Sequence, residues 1–174
     1  MTITLSITAS MKRPKFDTCP LARASFPSSQ SDSAAAMNSG ERAISDKPIE
    51  IRPVTRVNPF DPKPCEPVKY VWFRADGELP DDPQLHKYLL AYASDFNLLT
   101  TSMQPHGVSV FQKFMQVASL DHALWFHANL RMDDWLLYAM DSPWAGNARG
   151  FSRASIFNRA GQLVASVAQE GLTR

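Results

Sequence analysis

The chain carries almost no net charge: 18 Lys and Arg stand against 17 Asp and Glu, a balance of +1. No basic face emerges that could track a phosphate backbone, so nucleic acid is not the expected partner. Cysteine is scarce as well. Cys19 and Cys65 sit alone in Pro-rich surroundings, which excludes a disulfide framework and a Cys-x-x-Cys metal site and makes a reducing compartment the default. No apolar run approaches the roughly 20 residues that cross a bilayer as a helix, so no membrane span is expected. The opening MTITLSITAS places Lys12, Arg13 and Lys15 after its apolar stretch instead of before it, which reads as no signal peptide. The closing GLTR carries no peroxisomal or prenylation address. A cytoplasmic location follows as the expectation.

What is present fits one globular domain with a polar tail: 174 residues, 44% hydrophobic and 20% charged. Residues 1–47 are rich in Ser, Ala and charge without a sustained period of 2 or 3.6, and are expected to be disordered. Residues 48–68 form a Pro-rich linker or edge segment, with six prolines from Pro48 to Pro67 that forbid regular helix. Residues 69–174 are the expected folded domain.

That domain opens on a strand, Lys69 to Ala75, whose aromatic and β-branched residues precede an Asp-Gly-Glu break. Asp82 suits a helix N-cap and Pro83 the first helical position, where a missing N–H costs nothing. From there Leu85, Tyr88, Leu89, Tyr92, Phe96 and Leu99 recur at steps of three and four, predicting one long, largely enclosed helix from Pro83 to about Met103. After Gly107 come strands: Met115 to His127, Trp135 to Asp141, Gly150 to Phe157 and Gln162 to Gln169, the last two joined by a hairpin at Asn158 to Gly161. One strand, one buried helix and a run of antiparallel strands describe an α+β domain in which a sheet curls round a helix, the hot-dog architecture.

Asp95 is the residue that least fits this pattern. It lies at the edge of the helix's most apolar stripe, where a carboxylate loses hydration; burial raises such a group's pKa and makes it a better general base. Its bland reading is a surface-facing helical Asp. Gln169 at a strand end and Ser119 inside Val-Ala-Ser-Leu-Asp are uninformative standing alone. Ser119, Asp121 and His122 supply the residue types of a nucleophilic triad, but in one continuous strand Ser119 and Asp121 share a face and His122 takes the other, so no relay closes. His122 and His127, five apart, make a poor metal pair and are expected to be core or interface histidines. Asp81 and His86 are spaced like the pair in the hydratase pattern D-x-N-P-x-H of related hot-dog enzymes. Pro83 and Gln84 replace its Asn-Pro turn, which leaves enoyl-CoA hydration as a minor alternative.

Five co-linear stretches, Tyr92 to Leu99 (YASDFNLL), Ser119 to His127 (SLDHALWFH), Asp133 to Tyr138 (DDWLLY), Ser142 to Gly150 (SPWAGNARG) and Val167 to Leu172 (VAQEGL), resemble the C-terminal half of the acyl-CoA thioesterase II (TesB) family. The resemblance runs from about Ile49 to the last residue. It implies hydrolysis of fatty acyl-CoA to free fatty acid and CoA, within fatty acid metabolism, with CoA part of the substrate and no cofactor. The family's site, an Asp on the central helix, a Thr or Ser before an Asp-His pair and a Gln before Glu-Gly, falls on Asp95, Ser119 and Gln169. Family members carry two hot-dog repeats, and only one is found here. The implied partner is a second copy of this chain in a homodimer, or a separate N-terminal hot-dog half; the alternative is a catalytically impaired interaction or remnant domain.

Overall fold

The computed structural model describes residues 48–54 and 56–174; the expected disordered tail, 1–47, lies outside them. Seven strands form one antiparallel sheet: β1 (Ile49–Pro53), β2 (Val68–Ala75), β3 (Val117–Ser119), β4 (Ala123–Phe126), β5 (Leu136–Gly146), β6 (Arg149–Phe157) and β7 (Leu163–Thr173). Their order is β1-β2-β5-β6-β7-β3, and β4 also pairs with β7. The Pro-rich stretch therefore contributes an edge strand, with Ile49 opposite Ala75 and Pro53 opposite Val71. Pro53 fits there because an edge strand has N–H groups with no ladder to join.

The one α-helix among the described residues, α1 (Pro83–Ser94), starts as its sequence dictates: the Asp82 side chain accepts from the Gln84 N–H at 2.9 Å and Pro83 opens the first turn. It ends nine residues earlier than its apolar periodicity predicts. Asp95 is its C-cap, Asn97 takes the left-handed conformation (φ 68°), and the chain continues through 3-10 turns at Leu99–Thr101 and Gln104–His106. Local side chains favour this break: Thr100 Oγ1 donates to the Asn97 carbonyl at 2.7 Å and Ser102 Oγ to the Leu99 carbonyl at 2.8 Å, offering the backbone an alternative to helix. Lys69 on β2 clamps the turn, donating to Asn97 Oδ1 (3.2 Å) and Thr100 Oγ1 (3.1 Å). Burial without a carboxylate partner lowers the Lys69 pKa to about 8, against a smaller raising effect of Cys65.

The core lies between the helical segment and the concave face of the sheet. Leu90, Ala93 and Leu98 pack with Val71 and Phe73 of β2, Tyr138 and Met140 of β5, Ile156 of β6 and Val167 of β7. At about 25 cal/mol per Å2, each fully buried side chain of this size contributes about 2 kcal/mol. The helix is not enclosed all round, however. Tyr88 and Tyr92, read from the sequence as part of the buried stripe, are 69% and 52% exposed, while His86, Leu90, Ala93 and Ser94 form the buried face. On the convex side Trp72, Trp135 and Leu137 make a second cluster, and the Arg52 and Arg74 guanidiniums each lie 4.7 Å from the Trp135 ring.

The strand expected from Met115 to His127 is two short strands in line on the same edge of β7. Ser119 pairs with Gly171 and Ala123 with Ala168, so β3 and β4 advance four residues while β7 advances three. That extra residue is a bulge at Leu120 to His122, sealed by Leu120 N–H to Glu170 O (2.9 Å) and Glu170 N–H to Asp121 Oδ1 (2.7 Å). A bulge changes which way the following side chains point. The hairpin at Asn158 to Gly161 forms as expected, with Gly161 at φ 82° and Asn158 Oδ1 accepting from the Ala160 and Gln162 N–H groups. β5 runs past Asp141 to Gly146 and turns into β6 through Asn147 and Ala148, both at positive φ, the two-residue turn whose twist suits a hairpin.

Candidate active site

Three elements converge where α1 ends. Asp95 caps the helix, Ser119 ends β3, and Gln169 stands inside β7, which runs on to Thr173 instead of ending at Gln169 as expected, on the strand's inward face and 0% exposed. Gln169 Nε2 has two hydrogens and both are used: one bond runs to Asp95 Oδ1 and one to Ser119 Oγ, each 2.6 Å. Ser119 Oγ in turn donates to Asp95 Oδ1 at 3.2 Å. This closed triangle fixes the amide orientation, because a carboxylate only accepts. Both donors land on the same oxygen, and Asp95 Oδ2 receives no hydrogen bond among the described residues. Oδ2 is thus the carboxylate atom left to meet a water or substrate proton.

Two glycines hold this geometry by close approach. A Cβ on Gly171, opposite Ser119, would strike the Leu99 side chain, and one on Gly150 would strike Ser102. Only glycine lets the segment that follows Asp95 rest directly on β6 and β7. Across the ladder from Gln169, Ser152 is equally buried, and neither Ser152 Oγ nor Gln169 Oε1 has a partner among the described residues.

The carboxylate is not enclosed, contrary to the expectation drawn from its place on an apolar helix: the Asp95 side chain is 53% exposed and Ser119 is exposed too. Asp95 occupies the C-cap on the exposed side of the chain, while Ser94 before it and Leu98 and Leu99 after it lie buried. The Asp95 charge still reaches inward. Tyr138, whose hydroxyl donates to the Ser94 carbonyl, is held protonated well above the usual tyrosine range, first by burial and second by the Asp95 charge.

His122 also belongs here, against the expectation of a core or interface histidine. Its Nε2 lies 2.8 Å from Ser94 Oγ and its Nδ1 4.0 Å from Asp95 Oδ1. Strand alternation hid it because the bulge breaks that alternation. Asp121 instead binds the Glu170 N–H, so the local triad does not form. His127 bonds to Ser166 Oγ at 2.9 Å on β7. Asp81 pairs with Arg131 at 3.0 Å and His86 Nδ1 accepts the Met132 N–H at 3.1 Å. Asp81 is thereby held by a cation and His86 Nδ1 by a backbone N–H, while His86 Nε2 has no partner among the described residues.

Two of the surface cavities lie apart from the triangle. One, of about 250 Å3, is lined by residues including Ser102, Met103, Met115, Ala148 and Thr173; the other, of about 310 Å3, by Asp81, His86, Arg131 and Asp134 among others. Neither is lined by Asp95, Ser119 or Gln169. The triangle sits on an open face. Among the described residues no group of three or more His, Cys, Asp or Glu is arranged to hold a metal ion, and no helix is long and apolar enough to cross a membrane.

Comparison with known proteins gives these residues a context. A family model for acyl-CoA thioesterases matches residues 38–172. The chain is 39% identical over 134 residues to acyl-CoA thioesterase 2 of Haemophilus influenzae, covering 77% of this chain and 47% of that one. It is 39% identical over 133 residues to acyl-coenzyme A thioesterase 8 of Homo sapiens, covering 76% and 41%. The crystal structure of an acyl-CoA thioesterase II from Mycobacterium marinum superposes with a TM-score of 0.62 at 42% identity, over 74% of this chain and 50% of that one. A hot-dog protein of Alicyclobacillus acidocaldarius, at 16% identity and a TM-score of 0.55 over 73% of this chain and 46% of that one, shares the fold alone. The chain spans about half the length of the curated relatives it matches. With the family model matched over residues 38–172, most of its length, the chain belongs to the acyl-CoA thioesterase family.

Proposed function

We propose that this chain hydrolyses fatty acyl-CoA to free fatty acid and CoA, with Asp95 as the base that activates water and Ser119 and Gln169 as the groups that orient it. The observation that carries the reading is the closed hydrogen-bond triangle of Asp95, Ser119 and Gln169, assembled from residues 24 to 74 positions apart on three separate elements. Anchoring Oδ1 with two donors turns the carboxylate and aims Oδ2, which is what a base needs before it can take a proton along a defined line. A water on Oδ2 attacks the thioester carbon directly, and the C–S bond breaks with its pair on sulfur. A thiolate is a good leaving group, so the reaction proceeds without an acid catalyst and without a covalent acyl-enzyme. CoA enters as substrate, and the reaction needs no cofactor or metal.

The open site bears on the assembly. With the Asp95 side chain half exposed and Ser119 exposed, a single unit supplies the base without the walls of a substrate tunnel. In this reading a second hot-dog unit, from a homodimer or a separate N-terminal half, supplies those walls. Exposed aromatic side chains on α1 and β4, Tyr88, Tyr92, Trp125 and Phe126, give such a unit apolar surface to cover. An exposed, free Cys65 agrees with a reducing, cytoplasmic setting.

The test is thiol release from decanoyl-CoA or palmitoyl-CoA by the purified chain, assayed across protein concentration. Release that rises more steeply than linearly with protein supports both the activity and its dependence on association. No release at high concentration overturns the reading and leaves an interaction or remnant domain. Consumption of crotonyl-CoA without thiol release replaces it by hydration.

A further inference from the structure

We infer that His122 is a positioning residue of this reaction, the group that takes up the proton Asp95 removes from water; the assignment rests on the reading of Asp95 as the base. Its geometry is set by Ser94, the last residue of α1. The Ser94 hydroxyl has one proton, and Oγ lies 2.9 Å from the Ala91 carbonyl, an acceptor with nothing to donate. With that proton given to Ala91, Ser94 Oγ meets His122 Nε2 at 2.8 Å as an acceptor. The ring therefore carries its hydrogen on Nε2, and Nδ1 keeps a lone pair.

That lone pair faces Asp95. Nδ1 stands 4.0 Å from Asp95 Oδ1, too far for a hydrogen bond and fitting for two groups that both accept. The mismatch lasts only until the carboxylate is protonated. A water O–H bond breaks as its oxygen bonds to the thioester carbon, and the proton passes to Asp95. The carboxyl is now a donor and, being neutral, a weaker acceptor; rotation about its Cβ–Cγ bond gives up the two bonds that anchor Oδ1 and exchanges the oxygens, so that the O–H takes the place nearest Nδ1 and the ring closes the remaining gap. Transfer to Nδ1 restores the carboxylate beside an imidazolium, an attractive pair at this distance. The tetrahedral intermediate then collapses, the C–S pair leaves with sulfur, and the imidazolium returns its proton to solvent, from which the thiolate is protonated. The His122 side chain is 23% exposed, which gives that last step its exit.

Two measurements on the full chain test this. Long-range 1H–15N spectra recorded with the ring neutral are expected to place the His122 proton on Nε2; a proton on Nδ1 overturns the inference whatever the kinetics. In His122→Gln the amide keeps a donor for Ser94 Oγ but offers nothing in place of Nδ1. We expect kcat to fall about tenfold or more, with KM within about twofold and the melting temperature unchanged. His122→Asn, which fills the Nδ1 position with a non-basic amide, should be as slow. A purely structural histidine predicts full kcat in the Gln variant, and that result removes the assignment. Should His122→Gln match the wild type while Asp95→Asn is inactive, His122 loses its role and the thioesterase reading stands; a wild-type chain without thiol release overturns both. If the Gln variant does not fold, Ser94→Ala frees the ring instead, and an unchanged tautomer and kcat in that variant count against the inference.

Discussion

The two ends of α1 carry the same residue types and use them in opposite ways. Before the helix, Asp81 is paired with Arg131, which also binds both oxygens of Asp133 and the Leu79 carbonyl, while His86 inside the first turns is 2% exposed and accepts the Met132 backbone N–H. Every one of these bonds ends on a backbone group or a permanent cation. After the helix, Asp95 is bound by a serine and an amide, His122 is held by a serine, and a carboxylate oxygen is left without a donor among the described residues. Asp133, held by Arg131 on both oxygens, has its charge neutralised by a permanent cation, and Asp81 shares that cation through Oδ1. An Asp oriented by neutral donors keeps its charge available for a proton. Residue identity and spacing do not tell the two ends apart, whereas the chemistry of the partners does.

The largest effect that separates the ends is on turnover. Asp95→Asn keeps the shape and an acceptor for Gln169 and Ser119 but removes the proposed base, and kcat is expected to fall at least a hundredfold with little change in stability. Asp81→Asn, whose side chain is 95% exposed, should leave kcat within about twofold. Steady-state thiol release by the two variants at matched folded concentration checks this. Comparable losses at both positions would erase the distinction between the ends.

How much of this was legible in the sequence depends on which physical signal each feature leaves. The start of α1 was readable because Asp82 and Pro83 act within one turn. Its end was not. Phe96, Leu98, Leu99 and Met103 continue the apolar spacing, and Leu98, Leu99 and Met103 are indeed buried, at 0%, 7% and 2%. Periodicity thus reported burial and was mistaken for helix, because a left-handed Asn97 and 3-10 turns can deliver the same side chains to the core. Asp95 drew notice as a carboxylate among apolar residues, yet the open C-cap it occupies was hidden. Ser119 and Gln169 carried no signal by themselves, and only their likeness to family motifs singled them out; the structure then joins them through one amide nitrogen. The bulge between Ser119 and Ala123 has no compositional mark, and beyond it strand alternation no longer gives the direction of His122.

A stability effect should mark the other end of the helix. His86→Ala strips the Met132 N–H of its acceptor and leaves a cavity where a fully buried ring stood. We expect a loss of about 2 to 3 kcal/mol, about 10 °C in melting temperature, by calorimetry or denaturant titration. Turnover per folded molecule should hold. A variant of normal stability with lost turnover would instead make His86 part of the chemistry and restore the hydratase-like reading of its spacing.

The smallest effect is expected from Asp133, which sharpens what a structural carboxylate means. The hydrogen bonds from Arg131 hold its pKa down at about 2, with a further contribution from the Leu79 N–H and against the opposing effect of burial. A carboxyl whose folded pKa lies below its unfolded value of 3.8 stabilises the fold wherever it is ionised in both states; that contribution is complete above about pH 4 and is lost as pH falls toward 2. Asp133→Asn keeps an acceptor for Leu79 and loses the charge, so it should be less stable than the wild type by about 1 kcal/mol at neutral pH, allowing for solvent around Arg131. Denaturant midpoints of both proteins taken from pH 6 down to pH 2 should converge below pH 4. Midpoints that stay a fixed distance apart down to pH 2 would show that the Asp133 charge is not what binds this end together, and the contrast would then rest on His86 alone.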